Sequence, residues 1–343
     1  MLSGQERTEI TKLGVIDPEL EELLKHLKPP SYDYSKPTEV IQNMRTYMEQ
    51  WYIPPEPNSN VSEDSIFLPV RDNHQLRALI FKATEPPTKP RPLIVFYHGG
   101  GYTMGRPEDA AVLCRLLVQK FDAVCIAPTY RLAPEHQFPT GVNDGWDGFK
   151  WIASSADSLG ADPMAGFLLG GVSAGGNLAS VFSHRARDEA IQPPLTGVFL
   201  QTPGILPPTV VPEKYRDRYL SRTQPECLKD PILTPELKKL YYDAYAPDDY
   251  SALSVPFNWP TGHRDLPPHF LQVCGSDINR DENLIFESVL REENGVMTRM
   301  DIYPGQPHIF WQVFRELSAT KKFWADTVSG IAWLLQKEKR VES

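Results

Sequence analysis

The chain has 343 residues, a formal net charge of −9 and 41% hydrophobic residues. This composition is typical of a globular protein with a sizeable core, and it excludes intrinsic disorder for most of the chain. No apolar run approaches the roughly 20 residues that span a bilayer, and the acidic balance disfavours a nucleic-acid partner, which normally needs a basic surface.

The N-terminal sequence MLSGQERTEI has no basic start followed by an apolar core, so it does not resemble a secretory signal. The four cysteines form no C-x-x-C pair and no Cys/His cluster with zinc-ligand spacing. These features predict a protein of the reducing cytoplasm with no zinc site.

The first sixty residues predict two amphipathic helices and no strand. One helix begins at Asp17 and Pro18, a second begins at Thr38, and proline clusters follow both. Amphipathic helices need another surface on which to bury their apolar faces. We therefore expect residues 1–60 to form cap helices that cover another part of the chain.

The next region predicts a hairpin, with strands at 65–70 and 75–82. Apolar strands then alternate with helices. Further strands are predicted at 93–97, 123–127, 167–171, 198–201, 269–274 and 298–303. Helices are predicted at 108–121, 142–153, 174–186, 235–245, 281–294 and 319–336. Such alternation with all-apolar strands predicts an α/β fold whose mostly parallel sheet is covered by helices on both faces.

The alternation stops near Pro203 and resumes at residue 269. The intervening segment is rich in proline, tyrosine and charge. We interpret residues 204–266 as an insertion that packs with the N-terminal helices. This interpretation divides the core into a first part at 61–203 and a second part at 267–343.

Residues 171–175 read G-V-S-A-G and lie between a predicted strand and a predicted helix. In this context, G-x-S-x-G is typical of a sharp turn that exposes the serine hydroxyl above the sheet edge. The dinucleotide-binding spacing G-x-G-x-x-G is absent here. The pattern predicts that Ser173 is a nucleophile.

A histidine and three glycines, residues 98–101, directly follow the predicted strand at 93–97. Glycines without Cβ atoms let backbone N–H groups approach a substrate oxygen closely. Together with the N–H of the residue after the serine, they are typical of an oxyanion hole. The candidate donors are Gly99, Gly100, Gly101 and Ala174.

A serine nucleophile needs a base, and on this scaffold the expected chain order is serine, acid, histidine. Among the histidines after Ser173, His308 is the one that follows a late strand. We interpret His184 as a surface residue on the helix after the serine, His263 as part of the insertion, and His269 as lying at the far end of its strand. His308 is therefore the predicted base.

The acid should follow the predicted strand at 269–274, where the loop reads G-S-D-I-N-R-D-E-N. Asp277 lies directly past the strand and is the favoured residue. Asp281 is the competitor, although it is better placed to stabilise a helix N-terminus. The acid would orient the histidine and stabilise its cation rather than accept the proton.

These motifs together resemble the hormone-sensitive-lipase-like branch of the α/β-hydrolases. The matching segments are H-G-G-G-Y at 98–102, Y-R-L-A-P-E-H-Q-F-P at 130–139, Asp144 followed by Trp151, G-x-S-A-G-G-N-L-A at 171–179, G-S-D-x-x-R-D-E at 275–282 and G-x-x-H at 305–308. They span most of residues 65–340.

The resemblance implies an α/β-hydrolase fold, a triad of Ser173, Asp277 and His308, and no metal or organic cofactor. It implies a cap built from the N-terminal helices and the insertion. It also implies that the segment at 130–139 braces the oxyanion loop. The chain departs from the family at Val172, where many members have Asp or Thr, and at Ile309, where Gly is usual. A third departure is a cap unusually rich in proline, tyrosine and tryptophan.

The residues and the resemblance predict a serine hydrolase that cleaves a small or medium carboxylic ester through an acyl-enzyme. Cap aromatics would favour an apolar or aromatic substrate, with Tyr102, Trp51 and Tyr52 as candidate substrate contacts. The other aromatics in the predicted cap are Tyr241, Tyr242, Tyr245 and Trp259. The proline-rich cap also resembles fungal enzymes of secondary metabolism.

Two alternatives remain at this level. The same triad could serve a thioesterase, an acyltransferase that forms a lactone, or a dehydratase or cyclase acting on a polyketide-like metabolite. A non-catalytic ligand receptor is the other alternative, and the presence of His308 disfavours it. The expected partner is a small ester or acyl substrate, and the resemblance implies a homodimer formed through a sheet edge.

Overall fold

The computed structural model describes residues 3–27, 32–49, 52–56 and 59–335. An eight-stranded sheet lies at its centre, with the strand order β1-β2-β4-β3-β5-β6-β7-β8. The strands are β1 (Val61–Pro69), β2 (Gln75–Ala83), β3 (Leu93–Tyr97), β4 (Val124–Pro128), β5 (Phe167–Val172), β6 (Gly197–Gln201), β7 (His269–Cys274) and β8 (Thr298–Tyr303).

The sheet is antiparallel only at one side. Strands β1 and β2 form the predicted hairpin, and β2 also pairs antiparallel with β4. Every later pairing is parallel. The parallel strands from β3 to β7 are buried along their whole length, because helices cover both faces of the sheet. The predicted α/β-hydrolase fold is confirmed.

The helices form the two outer layers and the segments around them. Their bounds are α1 (Gly4–Lys12), α2 (Pro18–Leu24), α3 (Pro37–Met48), α4 (Ala111–Phe121), α5 (Thr140–Ser154), α6 (Ala174–Asp188), α7 (Pro225–Leu228), α8 (Pro235–Tyr245), α9 (Arg280–Ser288), α10 (Phe310–Val313) and α11 (Ser318–Leu335). Helix α1 was not predicted from the sequence. Ser3 and Glu6 form a capping box at its start.

The apolar core has two halves, one on each face of the sheet. Trp146 of α5 and Phe182 of α6 lie on one face. Leu117 of α4 and Phe323 of α11 lie on the other. The two halves pack the sheet between layers of helices, and the loops at the carboxyl ends of the strands start from this buried framework.

The N-terminal helices contact the segment between β6 and β7. Val40 and Ile41 of α3 pack against Leu237 and Leu240 of α8 in a separate apolar cluster. This contact supports our proposal that residues 1–60 and 204–266 form one cap over the core. None of the helices within the described ranges is both long and apolar enough to cross a membrane.

Candidate active site

Ser173 occupies a strained turn between β5 and α6. Its backbone has φ 54° and ψ −116°, an unfavourable conformation for a residue with a side chain. The flanking glycines permit the turn. A Cβ at Gly171 would lie 2.1 Å from the carbonyl oxygen of Gly175, and a Cβ at Gly175 would lie 2.1 Å from that of Tyr97. The turn holds the serine hydroxyl above the end of the sheet.

A chain of hydrogen bonds joins the three residues predicted to form the triad. Nε2 of His308 lies 3.0 Å from Oγ of Ser173, and Nδ1 of His308 lies 2.6 Å from Oδ2 of Asp277. Asp277 follows β7 and His308 follows β8, so the parallel strands bring both side chains to the same sheet edge. His308 and Asp277 are buried, with 3% and 1% of their surfaces exposed. This geometry suits a histidine base with an orienting carboxylate.

The competing acid, Asp281, has a different set of partners. Its oxygens accept hydrogen bonds from the Arg280 guanidinium at 2.7 Å and from the backbone N–H groups of Leu220 and Ser221 at 2.5 and 2.6 Å. Asp281 therefore attaches the insertion to the start of α9, and Asp277 is the carboxylate that contacts His308.

The prediction that His184 lies on the surface is wrong, because its side chain is fully buried. Its Nε2 lies 2.9 Å from Nδ1 of His263, and its Nδ1 lies 2.7 Å from the carbonyl oxygen of Ser180. Burial lowers the pKa of both histidines, that of His263 to about 4. This neutral pair joins α6 to the insertion and does not belong to the site of Ser173.

The glycine loop lies directly beside Ser173. A Cβ at Gly99 would be 3.3 Å from Cβ of Ser173, and Gly100 and Gly101 have φ values of 106° and 59°. Within the described parts of the chain, no acceptor is paired with the backbone N–H of Gly100, Gly101 or Ala174. These groups are therefore free to bind an oxygen near the serine.

A brace holds the glycine loop from below. The ring of Tyr130 stacks on that of His98 at 4.5 Å, and its hydroxyl donates to the carbonyl oxygen of His98 at 3.1 Å. Arg131 pairs with the buried Asp144 at 2.6 Å. Burial lowers the pKa of His98 to about 4, so its ring is neutral and acts as packing. These contacts match the brace implied by the family resemblance.

A cavity of about 140 Å³ opens beside Ser173. Its lining residues are Gly101, Tyr102, Ser173, Ala174, Asn177, Gly204, Pro207, Arg222, Leu233, Lys238, Tyr241, Tyr242, Tyr245, Pro247, Asp249, Ser254, Val255, Asn279 and Glu282. Tyr102, a predicted substrate contact, is among them. It stacks on Tyr245 at 3.9 Å and donates to Oδ1 of Asn177 at 2.6 Å.

The structure does not support Tyr52 as a substrate contact. Its hydroxyl donates to Oε1 of Glu63 at 2.9 Å, and the guanidinium of Arg115 lies over its ring. Glu63 belongs to β1 and Arg115 to α4, and both hold Tyr52 outside the cavity lining. Trp51, the third predicted contact, lies outside the described residues. Trp259 donates to Asp188 and is also absent from the lining.

Sequence reasoning missed Asp230, which lies behind His308. Its Oδ2 accepts the backbone N–H of His308 at 2.7 Å, and its Oδ1 accepts those of Ile232 and Leu233 at 2.7 and 2.9 Å. Burial and the neighbouring Asp277 raise the pKa of Asp230 to about 6. No local motif marks this residue, because it acts across the fold.

Sequence reasoning also missed the charged residues of the cavity wall. Arg222 and Lys238 both face the cavity and share the carboxylate of Glu282. They belong to the irregular insertion, where no periodic pattern distinguishes an inward from an outward side chain. Glu282 lies in the first turn of α9 and faces the insertion.

A family model described as alpha/beta hydrolase fold matches residues 94–312, more than half of the chain. The chain is an α/β-hydrolase. The resemblance to the hormone-sensitive-lipase-like branch is confirmed.

Known α/β-hydrolases match this one over long stretches. An AB hydrolase superfamily protein of Schizosaccharomyces pombe is 40% identical over 338 residues, which cover 96% of each chain. A versiconal hemiacetal acetate esterase of Dothistroma septosporum is 30% identical over 73% of this chain and 75% of its own. The crystal structure of a vibralactone cyclase has a TM-score of 0.83 at 32% identity, covering 95% of this chain and 96% of that one.

The departures from the family pattern at Val172 and Ile309 have visible consequences in this α/β-hydrolase. Val172 is buried and packs in the apolar core beneath Ser173. Ile309 adopts φ 47° and ψ 31°, a left-handed conformation that is strained for a β-branched residue. A glycine would adopt it without strain, which explains why glycine is usual at this position.

Proposed function

We propose that this α/β-hydrolase is a carboxylic-ester hydrolase that works through an acyl-enzyme on Ser173. The observation that carries the proposal is the unbroken chain of hydrogen bonds from Ser173 through His308 to Asp277 at the mouth of a cavity. A versiconal hemiacetal acetate esterase among its relatives supports the same reaction class.

In the first half-reaction, Oγ of Ser173 attacks the ester carbonyl carbon while Nε2 of His308 accepts the hydroxyl proton. The carbonyl oxygen becomes an oxyanion, and the resulting imidazolium is stabilised by Asp277. The free N–H groups bind the oxyanion, and each such donor contributes about 3 kcal/mol to transition-state stabilisation. The proposed donors are the backbone N–H groups of Gly99, Gly100, Gly101 and Ala174.

His308 then donates its proton to the departing alkoxide, so the alcohol leaves and the acyl group remains on Ser173. In the second half-reaction, His308 removes a proton from water, and the hydroxide attacks the acyl carbon. Collapse of the intermediate releases the carboxylic acid and returns the proton to Ser173. The reaction regenerates every group of the site.

The cavity sets the size of the substrate. Its volume of about 140 Å³ is close to the roughly 150 Å³ of an apolar protein cavity that binds benzene. The aromatic wall formed by Tyr102, Tyr241 and Tyr245 adds apolar surface. Together these features favour an ester with one small or medium apolar group on the cavity side.

The test is steady-state hydrolysis of p-nitrophenyl acetate, butyrate and octanoate by the native protein and by Ser173→Ala. We expect turnover of the two shorter esters, slower turnover of the octanoate, and loss of turnover in the variant. Ser183→Ala is a matched control, since Ser183 lies on α6 and donates to the carbonyl oxygen of Ser180. Equal turnover by native protein and Ser173→Ala would overturn the proposal.

A second candidate is an intramolecular acyl transfer that forms a lactone. The similarity to a vibralactone cyclase over 95% of this chain favours it. In that case a hydroxyl of the acyl group, deprotonated by His308, would attack the acyl carbon in place of water. Mass analysis of products from a hydroxyacyl ester separates the two outcomes, because the lactone weighs one water less than the hydroxy acid.

We also propose that the chain forms a homodimer through an edge of the sheet. Strands β1 and β8 are the two edges, and unpaired edge groups can pair with a second copy. Sedimentation velocity tests the dimer, and a monomer at micromolar concentration would contradict it. A cytoplasmic location stays a prediction.

A further inference from the structure

We propose that the part of the cavity wall formed by Arg222 and Lys238 binds a carboxylate, so that the substrate is an ester that carries a free acid group. This inference deepens the proposed function and rests on it. Arg222 and Lys238 line the same cavity as Ser173. They place two cationic side chains in a pocket whose hydrolytic chemistry requires neither of them.

The two cations outnumber the carboxylate that they share. Oε1 of Glu282 lies 2.5 Å from the guanidinium of Arg222 and 3.5 Å from Nζ of Lys238. Oε2 of Glu282 accepts the backbone N–H groups of Ile205 and Leu206 at 2.5 and 2.7 Å. One carboxylate thus serves two cations and two backbone donors. Arg222, Lys238 and Glu282 together therefore carry one net positive charge.

The other carboxylates nearby are hydrogen-bonded to other groups and do not contact Lys238. Asp277 contacts His308, as described above. Asp249, which also lines the cavity, accepts hydrogen bonds from Thr209 and Tyr242. Neither is within ion-pair distance of Lys238, whose other hydrogen-bond partner among the described residues is the neutral side-chain oxygen of Asn279. The positive charge of Lys238 is therefore only partly compensated by the carboxylate that it shares with Arg222.

The balance of charges at Lys238 agrees with this geometry. Burial and the adjacent Arg222 lower the pKa of Lys238 to about 8, while Glu282 and Asp277 act in the opposite direction. An anion bound in the cavity would favour the charged amine. Charge-assisted hydrogen bonds from lysine and arginine to a carboxylate are also stronger than those between neutral groups.

Gly204 leaves room for a ligand in front of this charged wall. The nearest atoms to a Cβ at this position would be the Asn279 amide nitrogen at 3.8 Å and Nζ of Lys238 at 4.0 Å. The side chain of Lys238 is 28% exposed and lines the cavity. A carboxylate is small enough to fit the available volume and accepts from both cations.

The test compares esters that differ only by a carboxylate in place of a terminal methyl group. Monoethyl glutarate and ethyl pentanoate vary the acyl side, and 3-acetoxypropanoate and propyl acetate vary the alcohol side. The readout is the ratio of kcat/KM for the anionic ester to that for its neutral partner. We expect a ratio above one for at least one pair at pH 7.

Lys238→Met is expected to lower that ratio about tenfold or more, since it removes a charge-assisted contact. The matched control is Lys239→Met on the same helix, because Lys239 is 74% exposed and pairs with Asp243 at 2.6 Å. Gly204→Val provides a second variant that fills the space without removing either charge, and it should also lower the ratio.

Several outcomes would overturn the inference. One is Ser173-dependent turnover in which both anionic esters react no faster than their neutral partners, which leaves the ester hydrolase intact. Another is an unchanged ratio in both Lys238→Met and Gly204→Val. Absence of Ser173-dependent turnover with all four esters and with the p-nitrophenyl esters would instead remove the proposed function as well.

Discussion

The backbone N–H of His308 donates a 2.7 Å hydrogen bond to Oδ2 of Asp230, a residue contributed by the insertion. The other oxygen of Asp230 accepts the N–H groups of Ile232 and Leu233. A single buried carboxylate thus fixes the loop that carries the proposed base to the segment that covers the cavity. This side chain links the insertion to the loop of the proposed base.

Replacement of Asp230 by asparagine should change how stability depends on pH. The pKa of Asp230 is about 6, above the usual value of about 4, because the carboxyl is buried near Asp277. The folded chain therefore holds this proton more tightly than the unfolded chain. The contribution of Asp230 to the free energy of unfolding is largest below pH 4 and falls as the pH rises to about 6.

The asparagine variant lacks this titration, so its stability deficit relative to the native protein should shrink between pH 4 and 6. Urea unfolding at several pH values measures the deficit. Because the two proteins share all other titrating groups, the effects of those groups cancel in the comparison. A deficit that stays constant from pH 4 to 6 would contradict the raised pKa of Asp230. The amide also loses one of its backbone partners, which costs about 1–3 kcal/mol.

Asp277→Asn and Asp281→Asn should affect different properties, the first catalysis and the second stability. Asparagine at 277 would lower kcat by about 10³- to 10⁴-fold with little change in unfolding, because His308 loses the acceptor that sets its tautomer. Asparagine at 281 would destabilise the fold by about 3–5 kcal/mol, because the buried Arg280 loses its ion partner.

Thermal unfolding and single-turnover kinetics on the folded fraction distinguish these two effects. If Asp281→Asn abolished turnover while remaining folded, and Asp277→Asn kept it, the acid would have been misassigned.

Gly175→Ala tests whether the turn at Ser173 depends on close backbone packing. The added Cβ would lie 2.1 and 2.4 Å from the carbonyl oxygens of Tyr97 and His98, so the glycine loop must move. We expect the free energy of unfolding to fall by about 1–3 kcal/mol. We expect kcat/KM to fall by a larger fraction than the free energy of unfolding. Gly4→Ala is the control, because its Cβ meets nothing within 4 Å. Native kcat/KM in Gly175→Ala would show that the loop tolerates the shift.

The preference for an anionic ester should depend on pH through Lys238. The pKa of Lys238 is about 8, and the charged groups facing it are Arg222, Glu282 and Asp277. Since the amine loses its charge above this value, the ratio of kcat/KM for anionic over neutral esters should fall as pH rises through about 8. The neutral ester cancels every pH effect that the two substrates share. A ratio that stays flat from pH 7 to 9, or one that falls equally in Lys238→Met, would contradict this role.

The sequence alone predicts those parts of the molecule that follow from local pattern and chain order. The apolar strands at β3 and β5 and the G-x-S-x-G turn depend on nearby residues. Asp277 and His308 followed from topology, because parallel strands bring their carboxyl ends to one edge. These features could be predicted before any contact was known.

The residues that escaped prediction depend on contacts between distant segments. Asp230 and Lys238 come from an insertion without regular periodicity, so their inward orientation has no local signal. His184 looked like a surface residue because its partner, His263, lies far along the chain. The aromatic ring of Tyr52 favours a place in the cavity, but Glu63 and Arg115 bind this side chain elsewhere.

The central claim is that Ser173 carries the acyl group during turnover, and intact-mass spectrometry after rapid acid quench tests it most directly. Mixing the native protein with p-nitrophenyl butyrate should give a mass increase of one butyryl group, located on the peptide that contains Ser173 and absent in Ser173→Ala. Butyrylation of Ser173→Ala to the same extent as the native protein would contradict the account. Turnover during which neither the native protein nor Asp277→Asn becomes acylated would also contradict it.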